Sequence, residues 1–261
     1  MVDGISAEHG VGDGPGVLVQ AALNGGTTRA EHAAVPLTPA ELAAEARAAA
    51  DNGAHALHLH PRDASGAQTL DPDHVLAAVA ATRAATGLPV GVTTGIWTVD
   101  GDVARRLDLV GQWTGPDRPD YDSINLNEPG TEALADLLAS LGIEIEAGVW
   151  TAADARLLGA AGFRARILRV LMEPTDRDPA RAVAAAAEAA SELARLGVTA
   201  RQVHHGYALA TWDVMRAAVA MGQDIRVGLE DTTVLPTGDV AAGNGDLVAA
   251  AVRVVRLVRE S

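Results

Sequence analysis

Short apolar, β-branched runs alternate with longer Ala-rich stretches from one end of the chain to the other. The first run covers residues 16–24, and a helical pattern follows over 38–52. Further strands are predicted at 54–60, 89–95, 122–127, 143–149, 166–172, 201–206 and 224–230. The intervening helices fall at 72–86, within 99–113, and at 131–141, 152–161, 179–196, 208–221 and 244–259. Local chemistry marks the boundaries. Thr38-Pro39-Ala40-Glu41 carries an N-cap hydroxyl, a proline at the first helical position and a glutamate placed to complete a capping box. Gly53 closes that helix, and Pro116-Asp117-Arg118-Pro119-Asp120 reads as a turn.

Eight strand–helix units in regular alternation imply parallel βαβ crossovers. That number, in a chain of 261 residues, matches a single (β/α)8 TIM barrel of about 250 residues. The alternative, a doubly wound open sheet, needs a Gly-rich dinucleotide fingerprint after an early strand. Asn24-Gly25-Gly26-Thr27-Thr28 lacks that spacing. The expected organisation is a flexible N-terminal tail over residues 1–15 and one barrel domain over 16–261.

Composition narrows the chemistry. The core must be built from Ala, Val, Leu and Ile, because the chain holds only four Trp, two Tyr and one Phe. No apolar stretch reaches the roughly 18–20 residues of a membrane span, and the Gly- and Asp-rich N-terminus has no signal-peptide pattern. A cytoplasmic location is therefore expected. A net charge of −14 argues against a nucleic-acid partner. No cysteine is present, so disulfides, thiolate metal ligands and thiol nucleophiles are excluded. All 20 basic residues are arginine. Schiff-base aldolases, pyridoxal enzymes and Walker P-loops all need a lysine and are excluded with it.

Barrel enzymes place their chemistry at the C-terminal ends of the strands. Those ends here carry Asn24, His58, His60, Thr93, Thr94, Asn125, Asn127, Glu144, Glu146, Glu173, His204, His205, Arg226, Glu230 and Asp231. Residues two apart on a strand share a face, so His58 and His60 point together, as do Arg226 and Glu230. His55 has the opposite parity and is read as structural, with His32 and His74 in solvent. Two readings of the pair stand. His58 and His60 are polar core residues bonded to backbone carbonyls, or they are metal ligands. Closing the barrel brings strand 8 round to strand 1, which lies beside strand 2, so Glu230 can converge on both histidines. Two His and one carboxylate form a catalytic site for Zn²⁺ or Fe²⁺. Such an ion can stabilise an enolate. Asp231 would then be a general base and Arg226 a clamp for a carboxylate or developing charge, with Thr93, Thr94 and Asn24 completing the pocket.

Several motifs together resemble the β-keto acid cleavage enzymes. They are Ala22-Leu23-Asn24-Gly25 with Thr27-Thr28-Arg29-Ala30, Pro36-Leu37-Thr38-Pro39-Ala40-Glu41, Leu57-His58-Leu59-His60, Val92-Thr93-Thr94-Gly95 and Arg226-Val227-Gly228-Leu229-Glu230-Asp231. The resemblance runs from Leu18 to the last helix. It implies a (β/α)8 barrel with Zn²⁺ on His58, His60 and Glu230, Asp231 as base, Arg226 as charge stabiliser and Thr93 where many members carry serine. It further implies a reaction of a β-keto acid with acetyl-CoA that yields acetoacetate and a new acyl-CoA, and a homo-oligomer. Asn24, Thr94, Asn125 and Glu146 are the expected substrate contacts. The chain departs from the family pattern twice. No acidic residue stands near Gly26 to assist the arginine, and strand 4 ends in Asn125-Leu126-Asn127-Glu128.

Three other readings compete. An amidohydrolase-type hydrolase would put its His pair on strand 1 and needs further histidines on strands 5 and 6. A metal-dependent lyase or aldolase acting without CoA would share every residue named. A catalytically silent barrel would need none of them.

Overall fold

The computed structural model describes residues 16–260; the expected N-terminal tail lies outside the described residues. Eight parallel strands close into a barrel in sequential order. They are β1 (Val19–Ala22), β2 (Ala56–Leu59), β3 (Val90–Thr93), β4 (Tyr121–Asn125), β5 (Glu144–Val149), β6 (Ile167–Met172), β7 (Gln202–His204) and β8 (Asp224–Val227). β1 pairs with β8 through Gln20 and Arg226, and with β2 through Ala22 and His58. The helices are α1 (Pro39–Asp51), α2 (Pro72–Thr86), α3 (Val103–Val110), α4 (Thr131–Leu141), α5 (Ala152–Ala160), α6 (Pro179–Arg195), α7 (Thr211–Ala220) and α8 (Asn244–Arg259).

The expected capping chemistry operates. The Thr38 hydroxyl accepts from the Glu41 amide at 3.3 Å, and the Glu41 carboxylate accepts from the Thr38 amide at 3.0 Å. α2 and α6 start on Asp71 and Asp178, each followed by proline. One helical piece was not expected, a short 3-10 turn over Ile96–Val99. The strands are shorter than the apolar runs suggested. A run of apolar residues marks burial, whereas a strand needs a neighbour on the ladder. β8 therefore stops at Val227, and Glu230 and Asp231 lie in the turn beyond it.

Strand alternation divides the interior. Ala21, Leu23, Leu57, Leu59, Val90, Val92, Ile124, Ile225 and Val227 belong to the main apolar core with the helices. The opposite faces point into the barrel. There the middle of the barrel is polar rather than aliphatic. Arg169 donates from Nε to Glu146 at 2.5 Å, and its guanidinium sits 4.6 Å from the centre of the Tyr121 ring. Gln20 donates to the Tyr121 hydroxyl at 2.9 Å and to Glu146 at 3.1 Å. A side chain at Gly91 would lie 2.1 Å from the Tyr121 ring, so glycine is what makes room for it.

This polar plug corrects the reading of β5. Glu144 begins the strand and is exposed at its N-terminal end, and Glu146 is buried mid-barrel. The residue of that face nearer the mouth is Gly148, whose missing side chain would meet Glu173 and Asn125. The Glu146 carboxylate is consumed by Arg169 and Gln20. Burial pushes it up, but the Arg169 charge outweighs burial and holds it below the usual carboxylate range.

Candidate active site

His58 and His60 leave β2 on the inward face, as strand parity requires. Both are buried. Glu230 reaches them from the turn after β8, with an oxygen 3.8 Å from His58 Nε2 and another 3.4 Å from His60 Nε2. One ligand atom from each of the three lies within 4.8 Å of the others. Two local features allow this approach. Gly25 has φ +49°, and a Cβ there would lie 2.1 Å from Glu230 Cγ. Gly228 passes so close to the Ala22 carbonyl that a Cβ would sit 1.9 Å from its oxygen.

The donor set fits a divalent ion. Glu230 Oε2 is a buried carboxylate oxygen with no hydrogen-bond partner, an arrangement that costs free energy unless something else binds it. Burial pushes His58 down to about 4, so it is neutral at pH 7, the form that ligates metal. Burial alone would raise Glu230, but the Arg226 guanidinium keeps it well below the ordinary carboxylate range. Arg226 Nη2 donates to Glu230 Oε1 at 2.5 Å. A charged, deprotonated carboxylate therefore faces the neutral His58 imidazole.

Asp231 sits beside this cluster. Arg226 donates to its Oδ1 from Nη2 at 2.8 Å, and Nε lies 3.3 Å from both carboxylate oxygens. His205 Nδ1 approaches Oδ1 at 3.1 Å. Oδ2 is the less engaged oxygen. On its far side His205 Nε2 contacts Glu173 at 3.2 Å, and Glu173 accepts from the Trp150 indole at 3.2 Å. Burial and the Arg226 charge would push His205 down, yet Asp231 and Glu173 raise it to about 9. Burial raises Asp231 too, and Arg226 with His205 hold it below its usual value.

The other expected contacts divide. Thr93 lies on the inward face of β3, and its oxygen accepts from the Gly95 amide at 3.1 Å, which leaves its hydroxyl proton free. Asn125, also inward, donates to Glu128 at 2.7 Å. Glu128 in turn is bound by Arg106 at 2.5 Å and by the Ile96 amide at 3.1 Å, so the unusual end of β4 is one braced network. Thr94 turns the other way, because adjacent strand residues face opposite sides; its hydroxyl donates to the Ser123 carbonyl at 2.7 Å. Asn24 has no capacity left for a substrate. Its amide donates to the carbonyls of Pro36 and His60, and its oxygen accepts from the amides of Gly25 and His60. It holds the His60 backbone instead. His55 is structural as expected, with Nδ1 accepting from the Val19 amide at 3.1 Å. His32, expected in solvent, is half-buried against the Ala241 carbonyl at 2.8 Å.

Sequence reasoning passed over three contributors. His205 and Glu173 stood among the polar strand ends, but nothing local paired them with Asp231. Gln68 gave no signal at all; its side-chain oxygen lies 2.7 Å from His60 Nδ1. Above it, Trp97 stacks on His60 with ring centres 6.3 Å apart.

Comparison with known proteins bears on the fold and the family. Among solved structures, apo ObcA superposes with a TM-score of 0.71 at 19% identity, covering 87% of this chain and 62% of ObcA. The chain thus spans about three-fifths of ObcA's length. A type I 3-dehydroquinate dehydratase from Clostridium difficile superposes with a TM-score of 0.66 at 8% identity, covering 94% of this chain and 92% of that one. At such identities these matches speak for the barrel alone. A 3-keto-5-aminohexanoate cleavage enzyme from Fusobacterium nucleatum subsp. nucleatum is 29% identical over 94% of this chain and 92% of its own length. The family model for the beta-keto acid cleavage enzymes matches residues 16–162 and 179–260, a span that contains His58, His60, Arg226, Glu230, Asp231 and His205 but not Glu173. The chain belongs to the beta-keto acid cleavage enzyme family.

Proposed function

We propose that this enzyme is zinc-dependent and transfers the acyl portion of a β-keto acid to CoA, using acetyl-CoA as co-substrate. A keto acid R–CO–CH2–COO⁻ and acetyl-CoA would give R–CO–S–CoA and acetoacetate. The carbon–carbon bond between the keto carbon and the methylene breaks, and the methylene carbon acquires the acetyl group. The observation that carries the reading is the convergence of His58, His60 and Glu230 beside the Arg226–Asp231 pair. ObcA, which shares the barrel, is described in a ternary complex with a C4-CoA adduct and oxalate, a precedent in this fold for CoA chemistry on a small acid.

His58, His60 and Glu230 would hold the ion. When bound, a divalent ion polarises the keto carbonyl and so acidifies the neighbouring methylene. Asp231 is held as a carboxylate, and its less engaged Oδ2 takes the methylene proton. Arg226, buried and pinned by two carboxylates, presents a fixed positive charge to the enolate or to the substrate carboxylate. Thr93 donates its free hydroxyl proton to a substrate oxygen. Asn125 shapes the side of the pocket toward Gly148, where the acyl tail would lie.

The test is metal analysis of the purified protein followed by an acetyl-CoA-dependent assay on a panel of β-keto acids. Bound zinc with acetoacetate and a new acyl-CoA supports the reading. Cleavage that proceeds without CoA would make the protein a lyase. Zinc present with no acetoacetate from any acid tested would sink the transferase assignment.

A further inference from the structure

Two neighbouring side chains, Gln68 and Trp97, decide which nitrogen of His60 is available. The Gln68 side-chain oxygen lies 2.7 Å from His60 Nδ1 and 3.1 Å from the Trp97 indole nitrogen. An indole nitrogen is a donor only. The atom of Gln68 that faces it must therefore be the carbonyl oxygen, not the amide nitrogen, and the orientation of that amide follows. An oxygen is an acceptor only, so His60 Nδ1, bound to the same oxygen, must carry a hydrogen. In a neutral imidazole the other nitrogen then holds the lone pair. That nitrogen is Nε2, the one facing Glu230. The Trp97 ring, stacked within 25° of the His60 plane, restrains the same imidazole from above.

We propose that Gln68 and Trp97 are positioning residues that together set the tautomer and ring orientation of His60 for metal binding. The proposal rests on His60 being a metal ligand. Neither residue touches the reacting atoms. Gln68 acts on His60 directly, and Trp97 acts by fixing which end of the Gln68 amide points inward. The Asn24 amide fixes the His60 backbone from the other side, at 2.8 Å to its N–H and 2.9 Å to its carbonyl. His60 is thus held at the main chain, at Nδ1 and on one ring face, with only Nε2 left to coordinate.

Two measurements on the full-length protein test this. In the metal-free protein, long-range ¹H–¹⁵N spectra report the tautomer of His60 without reference to any activity. Wild type should show Nδ1 protonated, and Gln68→Leu should shift His60 toward the Nε2-protonated form. Zinc affinity by chelator competition should fall about 10–100-fold in Gln68→Leu, the range for loss of an outer partner of a metal-bound histidine. Gln68→Glu should restore it, because a carboxylate oxygen accepts from both His60 and Trp97. Trp97→Phe should give a smaller loss, since the Gln68 amide is then free to turn over. An Nε2-protonated His60 in wild type, or Gln68→Leu binding zinc as wild type does, would overturn the proposal. Wild-type protein that binds no zinc would instead overturn the metal reading on which it rests.

Discussion

Asp231 Oδ1 and His205 Nδ1 face each other at 3.1 Å across the mouth of the barrel, although one follows β8 and the other follows β7. Their contact ties the Asp231 carboxylate to Glu173, which lies 3.2 Å from the other ring nitrogen. Asp231 therefore has a cation on two sides, Arg226 and the protonated imidazole. Asp231 itself is the main group that keeps that imidazole protonated, and the Glu173 hydrogen bond adds to it. Residues from three strand ends thus hold the Asp231 carboxylate in place.

That contact predicts a pH dependence of stability. His205 is raised in the folded protein from an unfolded value near 6.5 to about 9. Its contribution is fully present below about pH 6.5 and is lost as pH rises through about 9. The shift corresponds to roughly 3 kcal/mol at most. Chemical denaturation of the metal-free protein between these pH values should show wild type losing more stability than His205→Gln. Parallel pH profiles for the two proteins would remove His205 from this role.

Replacing Asp231 by Asn removes the proton acceptor while keeping shape. Turnover should fall by about 10²–10⁴-fold, the usual contribution of a positioned general base. Zinc content should not change, because Asp231 belongs to the Arg226–His205 network rather than to the ligand cluster. Steady-state kinetics beside metal analysis would separate the two, and retained turnover would disqualify Asp231 as the base.

His58→Ala should lose metal more severely than Gln68→Leu does. It deletes a ligand, whereas the Gln68 substitution disturbs the partner of one, worth about 10–100-fold. Chelator competition ranks the two variants on one scale. Equal affinities for His58→Ala and wild type would mean that the ion, if bound, sits elsewhere.

Glu146 is expected to matter for stability rather than for substrate choice. Glu146→Leu leaves Arg169 buried without its partner, a change that costs about 3–5 kcal/mol. The double variant Glu146→Leu with Arg169→Met should recover much of this, since well-packed apolar residues can replace a buried ion pair. Urea denaturation of the two proteins checks the pair. A large rise in substrate KM for the double variant, with stability restored, would return Glu146 to the substrate pocket.

The barrel, and the convergence of His58, His60 and Glu230 at its mouth, were legible in the sequence because strand parity and the strand–helix alternation are readable along the chain. Strand and helix periods of 2 and 3.6 residues, with caps such as Thr38–Glu41, repeat through the chain and imply closure. Parity alone then aimed His58 and His60 into one space, and closure brought strand 8 beside strand 1, the neighbour of strand 2. Other assignments depended on register, which periodicity does not carry. Thr94 differs from Thr93 by one position and faces the helices. Glu146 looked like a strand-end residue, but β5 begins two residues before it, so it lies mid-barrel against Arg169.

What the sequence by itself determined is which chemistry the chain can perform: imidazole and carboxylate ligands, arginine as the basic side chain, no thiol and no lysine. What only the tertiary structure decided is how that chemistry is allotted. Asn24 spends every hydrogen bond on the main chain around His60, Gln68 reads the Trp97 indole and sets a tautomer, and His205 joins Asp231 to Glu173. The physical reason is that hydrogen-bond saturation and electrostatic pairing are properties of distances between strand ends. Those distances exist only after the barrel has closed.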